Sequence, residues 1–195
     1  MSDGLAPKLE KIEVRWNRLV LDPNNPRFIT RKQDQIAEEH YLGEEVVGKT
    51  KSKMLPDKKK DPYKIHELIE SITQNGWLPV DAIFVRKLKG DDKHYVVLEG
   101  NRRITAIREI MSRVDTPADL KEKLKIIEVM EVLDSGSTVE QQKKISYLLG
   151  VRHHGSLKRW TPFAQAHNIY DRYLEISGQT PENFKWADEV GQKVA

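Results

Sequence analysis

The 195-residue sequence predicts an α+β fold: a mixed-sheet core with helices, followed by a C-terminal all-helical extension. Three observations carry this reading. Segments with period-two and period-3.6 apolar patterns alternate through the first part of the chain. After Leu133 only helical signals remain, and Gly, Pro, Asp and Asn clusters punctuate the boundaries. The chain therefore divides into a core, residues 1–134, and a helical extension, residues 135–195.

In order, Lys11–Leu21 alternates as a first strand with Ile12, Val14 and Trp16 on one side. Asp22-Pro23-Asn24-Asn25-Pro26 breaks it, since each proline pushes its predecessor out of helical space. A short helix follows from about Arg31 to Leu42 with Thr30 as N-cap, and the lysine-rich stretch Lys49–Lys60 reads as a loop. Asp61 as cap, Pro62 at the first helical position, and Ile65, Leu68, Ile69 and Ile72 at i, i+3, i+4, i+7 predict a helix that Gly76 ends. Val80–Lys87 and His94–Leu98 read as a hairpin about Gly90-Asp91-Asp92. Gly100-Asn101 opens a helix with Ile104, Ile107 and Met111 inward, and Lys125–Leu133 is a further strand. A Ser137/Glu140 capping box starts a helix to about Leu149, and Gly150–Trp160 is a basic loop. Thr161-Pro162 starts a helix that Ser177-Gly178 ends. A last helix begins at Thr180-Pro181 and reaches Ala195 without a C-cap, so we expect a further domain beyond it.

Composition narrows the function. With 38% hydrophobic and 32% charged residues the chain can bury a core and stay soluble. No apolar run approaches the roughly 18–20 residues a membrane span needs, and the start lacks a signal-peptide pattern. There is no cysteine, which excludes thiol catalysis, disulfides and thiolate zinc sites and fits a cytoplasmic location. The net charge of +3 is mild, but six lysines against one aspartate lie between Lys49 and Lys60. Such a block is either a solvated loop or a contact for nucleic acid phosphates.

The segment richest in chemistry is Tyr95–Ala106, where a strand runs through Glu99 and Gly100 straight into a helix. A helix start offers unpaired N–H groups and a positive dipole end to an anion. Gly100 permits close backbone approach, and Arg102 and Arg103 carry forked donors matched to phosphate oxygens. Glu99 is placed to orient a metal ion, a water or a ribose hydroxyl. The same pattern is also compatible with ordinary turn chemistry and two surface arginines.

Four blocks in order resemble the ParB N-terminal domain, which belongs to the ParB/sulfiredoxin-like superfamily. They are Leu21–Arg27 (LDPNNPR), Leu68–Pro79 (LIESITQNGWLP), Glu99–Ala106 (EGNRRITA) and Gly150–Ala166, ending WTPFAQA. The resemblance implies a ParB/sulfiredoxin-like core that binds a nucleoside triphosphate, CTP or ATP, with magnesium. It implies that Ser71 and Gly76 lie by the base or sugar, that Gly100, Asn101, Arg102 and Arg103 cradle the phosphates, and that Arg27 reaches the same pocket.

The sequence departs from the family pattern in two places. Asn101 stands where the family usually has glutamate, and the Glu-Asn pair expected to hold magnesium is replaced by the basic run Gly150–Arg159. Arg152, His153, His154 and Lys158 then become candidate phosphate contacts. The adjacent histidines have no third partner at helical spacing, so no metal site is assigned to them. The first reading is a nucleotide-binding switch domain of a DNA-associated protein, with a homodimer as partner arrangement and a role in partition or phage defence. The alternatives are a nucleotide hydrolase (CTPase or ATPase) or nuclease with Glu99 as catalytic carboxylate, and a nucleotide-independent DNA-binding module.

Overall fold

The computed structural model describes residues 7–25, 34–56, 61–133, 138–155 and 162–183. Its centre is a five-stranded mixed sheet in the order β1-β5-β3-β4-β2. The strands are β1 (Leu9–Arg15), β2 (Leu19–Leu21), β3 (Phe84–Leu88), β4 (Asp91–Glu99) and β5 (Ile126–Val132). β1 pairs antiparallel with β5, β3 antiparallel with β4 but parallel with β5, and β2 parallel with β4. The helices are α1 (Glu44–Met54), α2 (Ile65–Asn75), α3 (Asn101–Ser112), α4 (Ala118–Leu124), α5 (Thr138–Gly155) and α6 (Pro162–Ser177).

Alternation along the strands sorts the core into two faces. Val14, Leu21, Val85, Val97, Ile127 and Val129 face one side, where they meet Ile65, Ile69 and Ile72 of α2, Ile104, Ile107 and Ile110 of α3, and Leu120 and Leu124 of α4. Val20, Leu88 and Val96 face the other side under Tyr41 and Ile36. On that side Phe84, Leu98 and Val132 are covered by Ile145, Leu148 and Leu149 of α5. The mixed α+β architecture expected from the sequence is the one observed.

Several elements differ from the sequence reading, each for an identifiable reason. The expected first strand is two strands on opposite edges of the sheet, separated by a 3-10 turn at Trp16–Arg18. Arg15 and Leu19 are four Cα steps apart, so at most about 15 Å, whereas the outer strands of a flat five-stranded sheet lie about 19 Å apart. The sheet therefore curls to bring its edges together. Alternation continues across the break and hides it in the sequence.

The helix expected from about Arg31 to Leu42 is not formed by its described part, residues 34–42, which holds 3-10 geometry at Asp34 and at Glu38–His40 but no α-helix. Its backbone is diverted to other partners: Asn24 Nδ2 donates to Ile36 O at 2.9 Å and Ile36 N donates to Asn24 Oδ1 at 2.8 Å. Part of the lysine-rich loop is helix α1, which buries only Thr50 and Met54 and so shows little apolar period. Its signal is charge placement, with Glu44 and Glu45 in the first turn, Lys51 and Lys53 in the last, and a Glu45–Lys49 pair at 2.5 Å. Lys58, Lys59 and Lys60 lie outside the described residues.

α2 begins at Ile65 rather than Pro62, although Asp61 still serves its start, with Oδ2 accepting from His66 N at 2.6 Å. β3 begins at Phe84, not Val80. The hairpin turns at Lys89-Gly90, and Asp91 opens β4 with Oδ1 accepting from the N–H groups of Lys93 and His94. α4 was not anticipated; Leu120 and Leu124, one turn apart, are its buried residues. α5 continues through Gly150 to Gly155, so the first half of the expected basic loop is helical. Ser137 of the expected capping box lies outside the described residues, while Glu140 stands in the first turn of α5; residues 184 onward of the expected last helix also lie outside them.

Candidate functional site

β4 delivers the chain to the start of α3. Glu99, half-buried, pairs across the sheet with Phe84, and Gly100 turns the backbone with φ +102°. A Cβ at Gly100 would lie 2.9 Å from Ile83 Cγ1, 3.1 Å from Ile83 Cγ2 and 3.3 Å from Arg103 Nη2. Packing and backbone conformation alone therefore require glycine here. The first intrahelical bond runs from Ile104 N to Gly100 O at 3.0 Å, and no side chain caps the helix start. Gly100 carries no side chain to cap the first N–H groups, and the positive end of the helix dipole lies at this turn.

The two arginines fasten loops to this helix start. Arg102 donates through Nε to Tyr63 O and through Nη2 to Lys64 O at 3.4 Å. Lys64 is held at φ +53°, an uncommon conformation for a residue with a side chain. Arg103 donates through Nη1 to Asp81 O and through Nη2 to Ala82 O at 3.1 Å. Gly76, at φ +80°, ends α2 by donating to Ile72 O at 2.9 Å, and the loop from it leads to the Arg103 acceptors. The structure thus gathers Gly100, Asn101, Arg102, Arg103 and the Gly76 loop around one end of α3.

Asn101 has a structural task that sequence reasoning missed. It is 3% exposed, its Oδ1 accepts from Asp22 N at 3.2 Å, and its Nδ2 donates to Val97 O at 2.9 Å. Its side chain ties the helix start to the turn after β2. Ser71 is exposed on α2, and its side chain makes no hydrogen bond among the described residues. Arg152, His153 and His154 stand in helix α5, but their side chains lie outside what is described. Arg27 and Lys158 lie outside the described residues altogether.

Asp22, Asn24 and Tyr41 form a polar network next to this end of α3. Asp22 Oδ1 accepts from Asn24 N at 2.9 Å and from the Tyr41 hydroxyl at 3.4 Å, and Asn24 Nδ2 reaches Tyr41 Oη at 2.9 Å. Burial pushes the Asp22 carboxyl up to about 6, against the opposing pull of the Asn24 N–H, the Arg86 charge and the Tyr41 hydroxyl. Burial and the neighbouring Asp22 also push the Tyr41 phenol above its ordinary range. Glu38 has the opposite balance. Burial would raise its carboxyl, but Arg86 and the Lys89 N–H hold it below the ordinary value. Arg86 grips it through Nη1 at 2.5 Å and Nη2 at 3.0 Å, and Lys89 N adds 2.7 Å. The Asp-Pro-Asn-Asn turn was visible in the sequence; its partners, 12 and 17 residues beyond Asn24, were not.

Among the described residues, no three His, Asp or Glu side chains come together as a metal-binding group. No helix is long and apolar enough to cross a membrane.

Among curated proteins, none matches the chain. Among solved structures, the fold is similar to a C-terminally truncated chromosome-partitioning protein ParB from Caulobacter crescentus, crystallised with CTP-γ-S. That likeness has 16% identity and a TM-score of 0.39, and spans 89% of this chain and 68% of that one. At sequence level, the family model for the ParB N-terminal domain matches residues 30–130, from the segment before α1 to the middle of β5. On that match, which takes in more than half of the sequence, the chain belongs to the ParB N-terminal domain family.

Proposed function

We propose that this domain binds a nucleoside triphosphate, CTP or ATP, at the start of α3 and acts as the nucleotide-dependent switch of a DNA-associated protein. The observation that carries the reading is the helix start itself. It has no side-chain cap, follows a glycine in left-handed conformation, and is flanked by two loops that Arg102 and Arg103 hold in place. In a family member, that geometry presents backbone N–H groups and a helix dipole to phosphate oxygens. In this reading Ser71 and the Gly76 loop contact the base or sugar.

Residues 1–134 form the binding unit. The helices of residues 135–195 close over it or dimerise, and Arg27, Arg152, His153, His154 and Lys158 supply further phosphate contacts. Magnesium is compatible with the residues present: it needs only one or two carboxylates when phosphates and waters complete its shell, and Glu99 stands one residue before Gly100. When bound, the ion would neutralise phosphate charge. DNA is the macromolecular partner and the cytoplasm the setting. If the domain turns its nucleotide over, Glu99 is the carboxylate that does so, and Glu99→Gln separates the two cases.

The test is calorimetric titration of CTP, ATP, GTP and UTP with magnesium into wild type and Arg103→Ala. We expect saturable binding of one nucleotide, lost in the variant while its circular dichroism is retained. Absence of binding by all four would defeat the reading and favour a basic, nucleotide-independent DNA-binding module.

A further inference from the structure

We propose that Asp22 is a protonation-gated latch, which holds segment 36–41 and the turn after β2 against the start of α3. The contacts form a closed circuit. Asp22 N is held by Asn101 Oδ1 of α3, and its carboxyl accepts from Asn24 N in its own turn and from the Tyr41 hydroxyl. Asn24 in turn binds Ile36 through both its N–H and its carbonyl, and reaches the Tyr41 hydroxyl as well. Segment 36–41 is therefore attached to the helix start through Asp22 and its turn neighbour.

The charged and titratable groups facing the carboxyl among the described residues are Arg86 of β3, Glu38 and Tyr41. Arg86 is committed to Glu38 in a two-pronged contact, so among the described residues Asp22 has no counter-ion of its own. A carboxyl so enclosed is better accommodated neutral than charged. Its proton is bound more tightly with the latch closed than open, so closure is strongest below the ordinary aspartate value near 4. It weakens as pH rises and reaches a plateau above about 6. With those two limits, opening should increase by more than about tenfold between pH 4.5 and 7.

The device needs no ligand. Its effect on nucleotide binding rests on the function proposed above: because the circuit ends on Asn101, a loosened latch should weaken binding at the α3 start.

The experiment is NMR on the ligand-free chain from pH 4 to 8. We expect the Asp22 side-chain carbon to titrate near 6, and protection of the Ile36 amide, corrected for intrinsic exchange, to fall more than about tenfold between pH 4.5 and 7. In Asp22→Asn that protection should not depend on pH. Titration of Asp22 near 4, or an Ile36 amide whose protection is the same at both pH values in wild type, overturns the latch. Nucleotide titrations at pH 5 and 7 then test the coupling. Equal affinity at both pH values overturns the coupling alone, and no binding at either overturns the nucleotide reading while the ligand-free data still decide the latch.

Discussion

Replacing Gly100 by alanine tests whether the start of α3 is built as described. The backbone there has φ +102°, where an L residue pays a penalty of about 1–2 kcal/mol. The added methyl would lie 2.9 and 3.1 Å from the two Cγ atoms of Ile83, a residue only 1% exposed within the main core. Overpacking of that kind adds about 1–3 kcal/mol, so a loss of roughly 2–5 kcal/mol is expected. That is a large share of a small domain's stability. Denaturant unfolding followed by circular dichroism measures it, with the slope compared between variants to confirm that the same cooperative unit unfolds. Ile83→Ala in the same background removes the clash and leaves the conformational penalty. The double variant should therefore lose at least about 1 kcal/mol less than the sum of the singles. A Gly100→Ala loss below about 1 kcal/mol, or strict additivity with Ile83→Ala, would refute the argument.

Other consequences follow from the polar contacts. Asp22→Asn should stabilise the fold by about 2–3 kcal/mol near pH 7 and have no effect near pH 3.5. The carboxyl raised to about 6 favours the folded state only while protonated, and loses that contribution as pH rises through 6; thermal melts at the two pH values check it. Asn101→Ala should cost about 1–3 kcal/mol, since it leaves Asp22 N and Val97 O without their partner; chemical denaturation measures the loss. Glu38→Gln should weaken the grip of Arg86 and abolish its charge assistance, at a cost of about 1–2 kcal/mol. That loss should shrink at low pH, where Glu38 in the wild type is itself protonated.

The sequence revealed the elements whose partners are close by. The apolar spacing of Ile65, Leu68, Ile69 and Ile72 announced α2, and Ile104 and Ile107 announced α3, where Ile110 is buried and the expected Met111 only partly so; the glycines at 76 and 100 marked the end of α2 and the start of α3. Elements held by distant partners were not visible. Residues 34–42 adopt no α-helix because Asn24 and Arg86 engage Ile36 and Glu38, a tertiary demand that local propensity does not register. α1 was hidden because its stabilisation comes from end charges and from Lys51 pairing with Glu109 of α3 at 3.1 Å, with little apolar period.

The candidate site was legible as a place before it was legible as a set of roles. Glu99–Arg103 was identified as the helix start, and the structure puts it there. That Arg102 and Arg103 also hold the backbone of loops 63–64 and 81–82, and that Asn101 points inward, depends on contacts across 21 to 79 residues.

The most direct test of the central claim is an amide NMR titration of the chain with CTP and ATP in magnesium buffer. The account predicts saturable shifts centred on residues 100–104 and on the Gly76 loop, for at least one of the two nucleotides. Shifts confined to the lysines of α1, or none at all, would contradict it.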